Sequence, residues 1–188
     1  LAGLCGKGKA TFITPNHPEF FTDWMIDKEI ISHAAQLAAC WATNGVVNGL
    51  GDIAQRFWLA NNLIAQIPGD GGKAKEHSIN WAVLGHGVLL HPEGSVGWDS
   101  NHVGPLFAGA AEMAMDALQR GRQVDADFES FVAPIVWKLV FLKDVTSRLA
   151  RECAYVEQRL GIKTPNGAGP AQRVFLIYSA LLRRDEME

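Results

Sequence analysis

The residues with the clearest chemical potential lie in two short segments of the chain. Residues 16–23 read NHPEFFTD, so that His17 and Asp23 stand close together directly after a β-favouring run. Residues 91–95 read HPEGS and follow a second strand-like run. A histidine paired with a carboxylate can remove the proton of an alcohol. The two segments therefore predict a site in which His17 is a general base, Asp23 is its partner and Glu93 lies on a facing turn.

The composition is that of an ordinary globular protein. The chain has 188 residues, of which 48% are hydrophobic and 20% charged, and its net charge of −3 does not fit a nucleic-acid binder with a basic face. Its 3 cysteines form no CxxC pair, so neither a disulfide framework nor a zinc knuckle is indicated and a reducing compartment fits best. No apolar run reaches the roughly 18 residues that a spanning helix needs.

Strand-like and helix-like segments alternate along the chain. The segments predicted as strands are 10–14, 62–67, 87–90 and 131–141, and those predicted as helices are 23–43, 52–58, 74–81, 105–120, 144–160 and a final stretch after 170. This alternation predicts an α/β fold with a mixed central sheet flanked by helices. We expect one main domain over 1–162, and a linker with a C-terminal helix packed on it over 163–188.

Three sequence blocks, taken in order, resemble a known family. They are residues 16–23, residues 89–95 (LLHPEGS) followed by 105–111, and residues 132–136 (VAPIV). Each block alone is a weak signal, but each follows a strand-like run and their order is fairly specific. Over residues 12–139 the chain resembles the glycerolipid acyltransferases of the lysophosphatidate acyltransferase type.

The resemblance implies a fold, a reaction and a location. It implies the glycerol-3-phosphate acyltransferase-like fold and transfer of an acyl group from acyl-CoA or acyl-carrier protein to a hydroxyl of a lysophospholipid or other lipid. His17 would deprotonate this hydroxyl, Asp23 would hold the imidazole, and Glu93 and Gly94 would form a turn. The backbone N–H groups of Gly94 and Ser95 are expected to face the oxyanion. The resemblance also implies no cofactor or metal, and a peripheral position on the cytoplasmic membrane surface.

The acceptor is the least defined part of this expectation. Five residues separate His17 from Asp23 where the family usually has four, and the family's phosphate-binding arginines have no counterpart in 61–67 or 94–98. Either nearby lysines supply the positive charge, or the acceptor carries no phosphate beside its hydroxyl. The residues expected to contact substrate are Asn16, Pro92, Gly94, Ser95, Lys73 and Lys75.

Alternatives remain open at this level. His86, His91 and His102 are close in sequence, but the first two are five apart on an extended run and would point to opposite faces, which speaks against a metal site. Asp27 and its neighbours are interpreted as a solvated turn of a helix. The same His17–Asp23 pair would also serve an acyl-thioester hydrolase, and a catalytically silent lipid-binding relative would keep the same fold.

Overall fold

The structure, a computed structural model, describes residues 3–18, 22–33, 37–67, 71–97, 102–140 and 142–185. The chain divides into two compact units, Leu1–Leu139 and Val140–Glu188. The boundary lies upstream of the predicted one at 162, because the helix before that point packs against the C-terminal helix. No helix of the described residues is both long and apolar enough to cross a membrane.

The first unit is built on a parallel sheet of five strands in the order β3-β2-β4-β1-β5. The strands are β1 (Lys9–Pro15), β2 (Ala38–Thr43), β3 (Leu63–Gln66), β4 (Gly87–Leu89) and β5 (Glu129–Ile135). The helices of this unit are α1 (Asp23–His33), α2 (Asn44–Asn48), α3 (Asp52–Ala60), α4 (Gly71–Val83) and α5 (Gly109–Arg122). The prediction of a mixed sheet was wrong in the described residues, since every strand-to-strand connection contains a helix and such crossovers make neighbours parallel.

The central strand β1 is buried on both of its faces. Phe12 packs with Ile79 of α4 and Met113 of α5, whereas Ile13 packs with Ile31 of α1 on the opposite face. A parallel strand that is covered by helices on both sides is typically rich in apolar and β-branched residues, and 10–14 reads ATFIT. The prediction of a strand at this position is confirmed.

The predicted helix over 23–43 is wrong in its second half. The helix α1 ends at His33, and Ala38 begins the strand β2, with residues 34–36 outside the described part. The alanines of this stretch fit a helical pattern, but Ala38, Ala39 and Cys40 are buried and pair with β4, and β3 pairs on the other edge of the strand. Pairing on both sides and burial decide the conformation against a weak helical propensity.

The second unit consists of two helices, α6 (Thr146–Leu160) and α7 (Pro170–Asp185), as the sequence predicts. Arg173 of α7 donates to both carboxylate oxygens of Glu157 on α6, at 2.8 and 2.6 Å. Such bidentate bonds fix geometry as well as adding attraction. The pair joins α6 to α7 within the second unit.

Gly121 offers a test of the packing of α5 on the sheet. A Cβ at Gly121 would lie 2.2 Å from Cδ1 of Phe128, whereas nothing lies within 4 Å of a Cβ at Gly109 of the same helix. We expect Gly121→Ala to lower the free energy of unfolding by about 1–3 kcal/mol through overpacking. Gly109→Ala is the matched control and should leave that free energy unchanged or slightly raised. Urea unfolding measures both, and equal stability of the two variants would contradict the packing described.

Candidate active site

His17 and Asp23 form a close hydrogen-bonded pair at the carboxyl edge of the sheet. His17 lies on the loop after β1, and Asp23 is the first residue of α1. His17 Nδ1 lies 2.7 Å from Oδ2 of Asp23, and the other carboxylate oxygen accepts the backbone N–H of Trp24 at 2.7 Å. The structure therefore brings the predicted pair together across its five-residue spacer. With Nδ1 engaged, Nε2 is the nitrogen of His17 that is left to exchange a proton.

Glu93 holds the loop that carries His17. It is buried, and its Oε1 accepts the backbone N–H of His17 at 2.7 Å while its Oε2 accepts the N–H of Gly104 at 2.6 Å. On the other side, the N–H of Gly97 donates to the carbonyl of His17 at 2.8 Å. Both oxygens of Glu93 are thus used for backbone groups. Glu93, which was grouped with the catalytic residues as part of the turn beside the site, therefore positions the backbone of His17.

The predicted Pro-Glu-Gly turn forms directly after β4. Gly94 has φ +69°, and its N–H donates to the carbonyl of His91 at 3.1 Å. The Gly94 N–H was expected to face an oxyanion, but it closes the turn instead. Of the two backbone N–H groups that were expected to face the oxyanion, only that of Ser95 therefore stays a prediction. A side chain at Gly94 would also meet the ring of Phe107, with a Cβ 2.8 Å from it.

His91 stacks on His17, a contact that the sequence reasoning did not include. The ring centroids are 3.9 Å apart and the planes differ by 12°. Burial, and then the neighbouring His17, lower the pKa of His91 to about 4, so its ring is neutral at physiological pH. Its Nδ1 faces the carbonyl of Pro15 at 3.3 Å, and its Nε2 is buried with no partner among the described residues. This contact could not be predicted from the sequence because it requires knowing that β1 and β4 are neighbours in the sheet.

Asn16 links the ends of β1 and β5. Its Nδ2 donates to the carbonyl of Trp137 at 3.1 Å, and its Oδ1 accepts the N–H of Trp137 at 2.5 Å. The side chain was expected to contact substrate, but both of its polar atoms are engaged by this backbone. We therefore correct the role of Asn16 to one of positioning the residue that follows it, His17.

Asp27 lies one helical turn beyond Asp23 and is buried, which corrects its interpretation as part of a solvated turn. Its Oδ1 accepts the indole N–H of Trp137 at 2.8 Å. Burial raises the pKa of Asp27 to about 6, the indole bond opposes this rise, and Asp23 adds to it. The spacing of four from Asp23 was the only sequence signal for this placement.

A first cavity of about 420 Å³ opens beside the stacked histidines. Pro92 and Gly94 line it on the side of the turn, as predicted for substrate contacts, and Thr43 and Gln66 lie on the side of β2 and β3. Hydroxyl and amide side chains here can donate and accept hydrogen bonds. The other walls include Trp41, Leu90 and Phe107, so the cavity is mixed in character and suits a ligand that carries a few polar groups on an apolar body.

A second cavity of about 270 Å³ is lined by the same two histidines and shares Trp41, Ala42 and Thr43 with the first. Its walls are mostly apolar: Trp24, Val46, Leu50, Trp58 and Leu63. Cys40 also lines it, and burial raises the pKa of this thiol to about 12, so it is neutral and a poor nucleophile. The cavity suits an apolar chain.

The remaining predicted contacts are not brought to the site. Lys73, Lys75 and Ser95 are not among the described residues that line the two cavities. Lys75 lies 3.5 Å from Glu112 and 3.2 Å from Asp116 across α5, and these contacts raise its pKa. Its charge is therefore directed at α5 and not at the histidines.

The histidines and Asp23 also place ligand-type atoms within 4.8 Å of one another. An imidazole binds a metal along the plane of its ring, at about 2.1 Å. Two nearly parallel rings 3.9 Å apart cannot both aim a lone pair at one ion, and Nδ1 of His17 is held by Asp23. The geometry favours proton transfer over joint metal ligation.

Comparisons of the chain with protein-family models, with curated proteins and with solved structures found no match. The function is therefore inferred from the geometry of the site and from the order of the sequence blocks.

Glu93→Gln tests the clamp on the His17 loop. In the wild type each carboxylate oxygen of Glu93 accepts one backbone N–H. Glutamine replaces one of these oxygens with an N–H₂ group, so one buried backbone donor loses its acceptor. We expect the free energy of unfolding to fall by about 1–3 kcal/mol. Glu112→Gln, at an exposed residue of α5, is the control and should change it by less than about 0.5 kcal/mol. Urea denaturation checks both, and a stable Glu93→Gln variant would refute the clamp.

Proposed function

We propose that this protein transfers a fatty acyl group from an acyl thioester, of coenzyme A or carrier protein, to a hydroxyl of a lipid acceptor. The observation that carries the proposal is the His17–Asp23 hydrogen bond of 2.7 Å at the point where a cavity of mixed character and an apolar cavity meet. The order of the three sequence blocks supports it. We also propose that the sheet, with its parallel strands and helices on both faces, is of the glycerolipid acyltransferase type.

The two cavities suggest how the substrates lie. The apolar cavity beside Trp24 and Trp58 takes the acyl chain, and the first cavity, which Gln66 lines, takes the acceptor. Both are lined by His17, so the thioester carbonyl and the acceptor hydroxyl meet at its ring. Holding both reactants at one base is a large part of the rate enhancement in such a transfer.

Proton transfer follows from the arrangement of the pair. Nε2 of His17 takes the proton of the acceptor hydroxyl as its oxygen attacks the thioester carbonyl. The negative charge of Asp23 stabilises the imidazolium that forms. The tetrahedral intermediate then collapses, the carbon–sulfur bond breaks, and the departing thiolate takes the proton from His17.

His17→Ala tests the proposal. Radiolabelled acyl-CoA is incubated with lysolipids and with uncharged hydroxylated lipids, and the acylated product is measured. We expect the rate to fall at least 10²- to 10⁴-fold, the usual contribution of a general base. His33→Ala is the matched control, because His33 is an exposed histidine at the end of α1 and should leave the rate unchanged.

The same assay separates the alternatives. Loss of thioester without an acylated lipid, unaffected by added acceptor, would indicate a hydrolase. Acyl-chain binding without turnover would indicate a lipid-binding protein. Full transfer activity in His17→Ala, with its circular dichroism spectrum unchanged, would refute the proposed mechanism.

An apolar surface beside the second cavity supports a peripheral membrane position. Leu50, Ile53 and Phe57 are 65%, 88% and 57% exposed, and Leu50 also lines the apolar cavity. Adjacent exposed apolar side chains of this kind mark contact surfaces for partners or membranes. We propose that this surface rests on the lipid bilayer and that acyl chains enter the cavity from it.

The double variant Ile53→Asp, Phe57→Asp tests the membrane surface. Burying two such side chains contributes a few kcal/mol, so we expect at least a tenfold loss of partitioning onto phospholipid vesicles. Co-sedimentation with vesicles measures it. Val124→Asp replaces an apolar residue that is 93% exposed after α5, and this control should bind as the wild type does. Equal binding of the double variant would disprove the assignment.

A further inference from the structure

Asp27 is a second buried carboxylate behind the His17–Asp23 pair. Its side chain is 0% exposed, its Oδ1 accepts the indole N–H of Trp137, and its Oδ2 has no partner among the described residues. A buried carboxylate with one partner is costly unless a nearby charge compensates it. Asp27 is therefore either neutral or coupled to a positive charge.

Trp137 connects Asp27 to the loop of the general base. Its indole binds Asp27, and its backbone N–H and carbonyl bind the side chain of Asn16, the neighbour of His17. Asp23, four residues before Asp27 on α1, closes the ring through its bond to His17. A displacement of any member of this ring would be transmitted to the imidazole.

The charged groups around Asp27 are few. Asp23 on its own helix and His17 on the loop after β1 both act on its pKa. Cys40 of β2 is neutral, because burial raises the pKa of its thiol, and Trp137 carries no charge. Lys28 is adjacent on α1 and acts on Cys40, while its ammonium donates to the carbonyl of Asn61. The positive charge that interacts with the Asp27 carboxylate during turnover is therefore that of the protonated imidazole of His17.

Resting on the proposed function, we propose that Asp27 is a positioning residue for catalysis, whose carboxylate, held by Trp137, stabilises the imidazolium that forms on His17. Asp23 binds this imidazole directly, and Asp27 acts through space and through the ring of hydrogen bonds. The two carboxylates thus divide orientation and electrostatic support between them.

The proposal predicts a distinctive dependence on pH. Burial raises the pKa of Asp27 to about 6, and below that pH its charge is lost. Protonation of the general base His17 gives an acid limb of its own. We expect protonation of Asp27 to add a second loss of rate near pH 6. Removal of a negative charge near an imidazolium in a protein site should reduce the rate roughly tenfold.

Two variants test the role, and each is expected to change the pH profile in a different way. Asp27→Asn keeps an oxygen for the indole of Trp137 but removes the charge, so the plateau should fall roughly tenfold and the limb due to Asp27 should disappear. Trp137→Phe removes the bond that lowers the pKa of Asp27, so the acid limb should move to higher pH. Glu29→Gln, at an exposed acid of the same helix, is the control and should keep the wild-type profile.

The stability of Asp27→Asn gives a readout that does not depend on activity. A raised pKa in the folded state means that protonation of Asp27 stabilises the fold at low pH and that this stabilisation is lost as the pH rises through about 6. We expect the Tm of the wild type, relative to that of Asp27→Asn, to decrease between pH 4 and pH 7. A constant difference would show that Asp27 does not titrate there.

The outcomes separate the two claims. Wild-type protein that turns over no acyl thioester would refute the proposed function, whatever the Tm measurement shows. Active protein in which Asp27→Asn has the wild-type plateau and limb would overturn only the inference about Asp27. Equal losses in Asp27→Asn and Trp137→Phe without a shift of the limb would show a purely structural role and would also overturn it. If Asp27→Asn does not fold, the pH of the acid limb in Trp137→Phe tests the inference: an unshifted limb would overturn it.

Discussion

The hydrogen bond between His17 Nδ1 and Asp23 Oδ2 is the contact on which the proposed chemistry depends. It fixes which ring nitrogen is left for proton transfer, and it places a negative charge where an imidazolium would form. Two buried polar side chains nearby hold the loop that carries His17. Glu93 accepts the backbone N–H of His17, and Asn16, the residue before His17, binds the backbone of Trp137 beyond the end of β5. These hydrogen bonds constrain the position of the imidazole.

The parallel sheet is what makes this arrangement possible. Because β1 and β4 are neighbours and run in the same direction, the loops after them emerge at one edge, and His17 and His91 come to lie face to face. Ligands of open α/β sheets commonly bind outside the carboxyl ends of the strands. The two cavities open at this edge, one of mixed character and one mostly apolar. Topology thus explains why two segments far apart in sequence form one site.

The sequence predicts the local features well and the tertiary ones poorly. The pairing of His17 with Asp23, the turn at Gly94 and the strand of β1 follow from residue types and spacing. The strand β2 does not, because its alanines allow a helix and only pairing on both sides excludes one. Nor does the stack of His91 on His17, which requires the strand order. Burial of Asp27 depends on Trp137, a residue far along the chain.

The central claim is that His17 and Asp23 act as one unit in acyl transfer, and a double-mutant cycle tests it most directly. The rates of His17→Ala, Asp23→Asn and the combined variant would be measured with the same acyl-CoA and lipid acceptor. Residues that act as a unit are strongly non-additive. We expect the combined variant to be no slower than His17→Ala alone, since Asp23 has no imidazole left to support. Losses that multiply would show that the two residues act independently and would contradict the account.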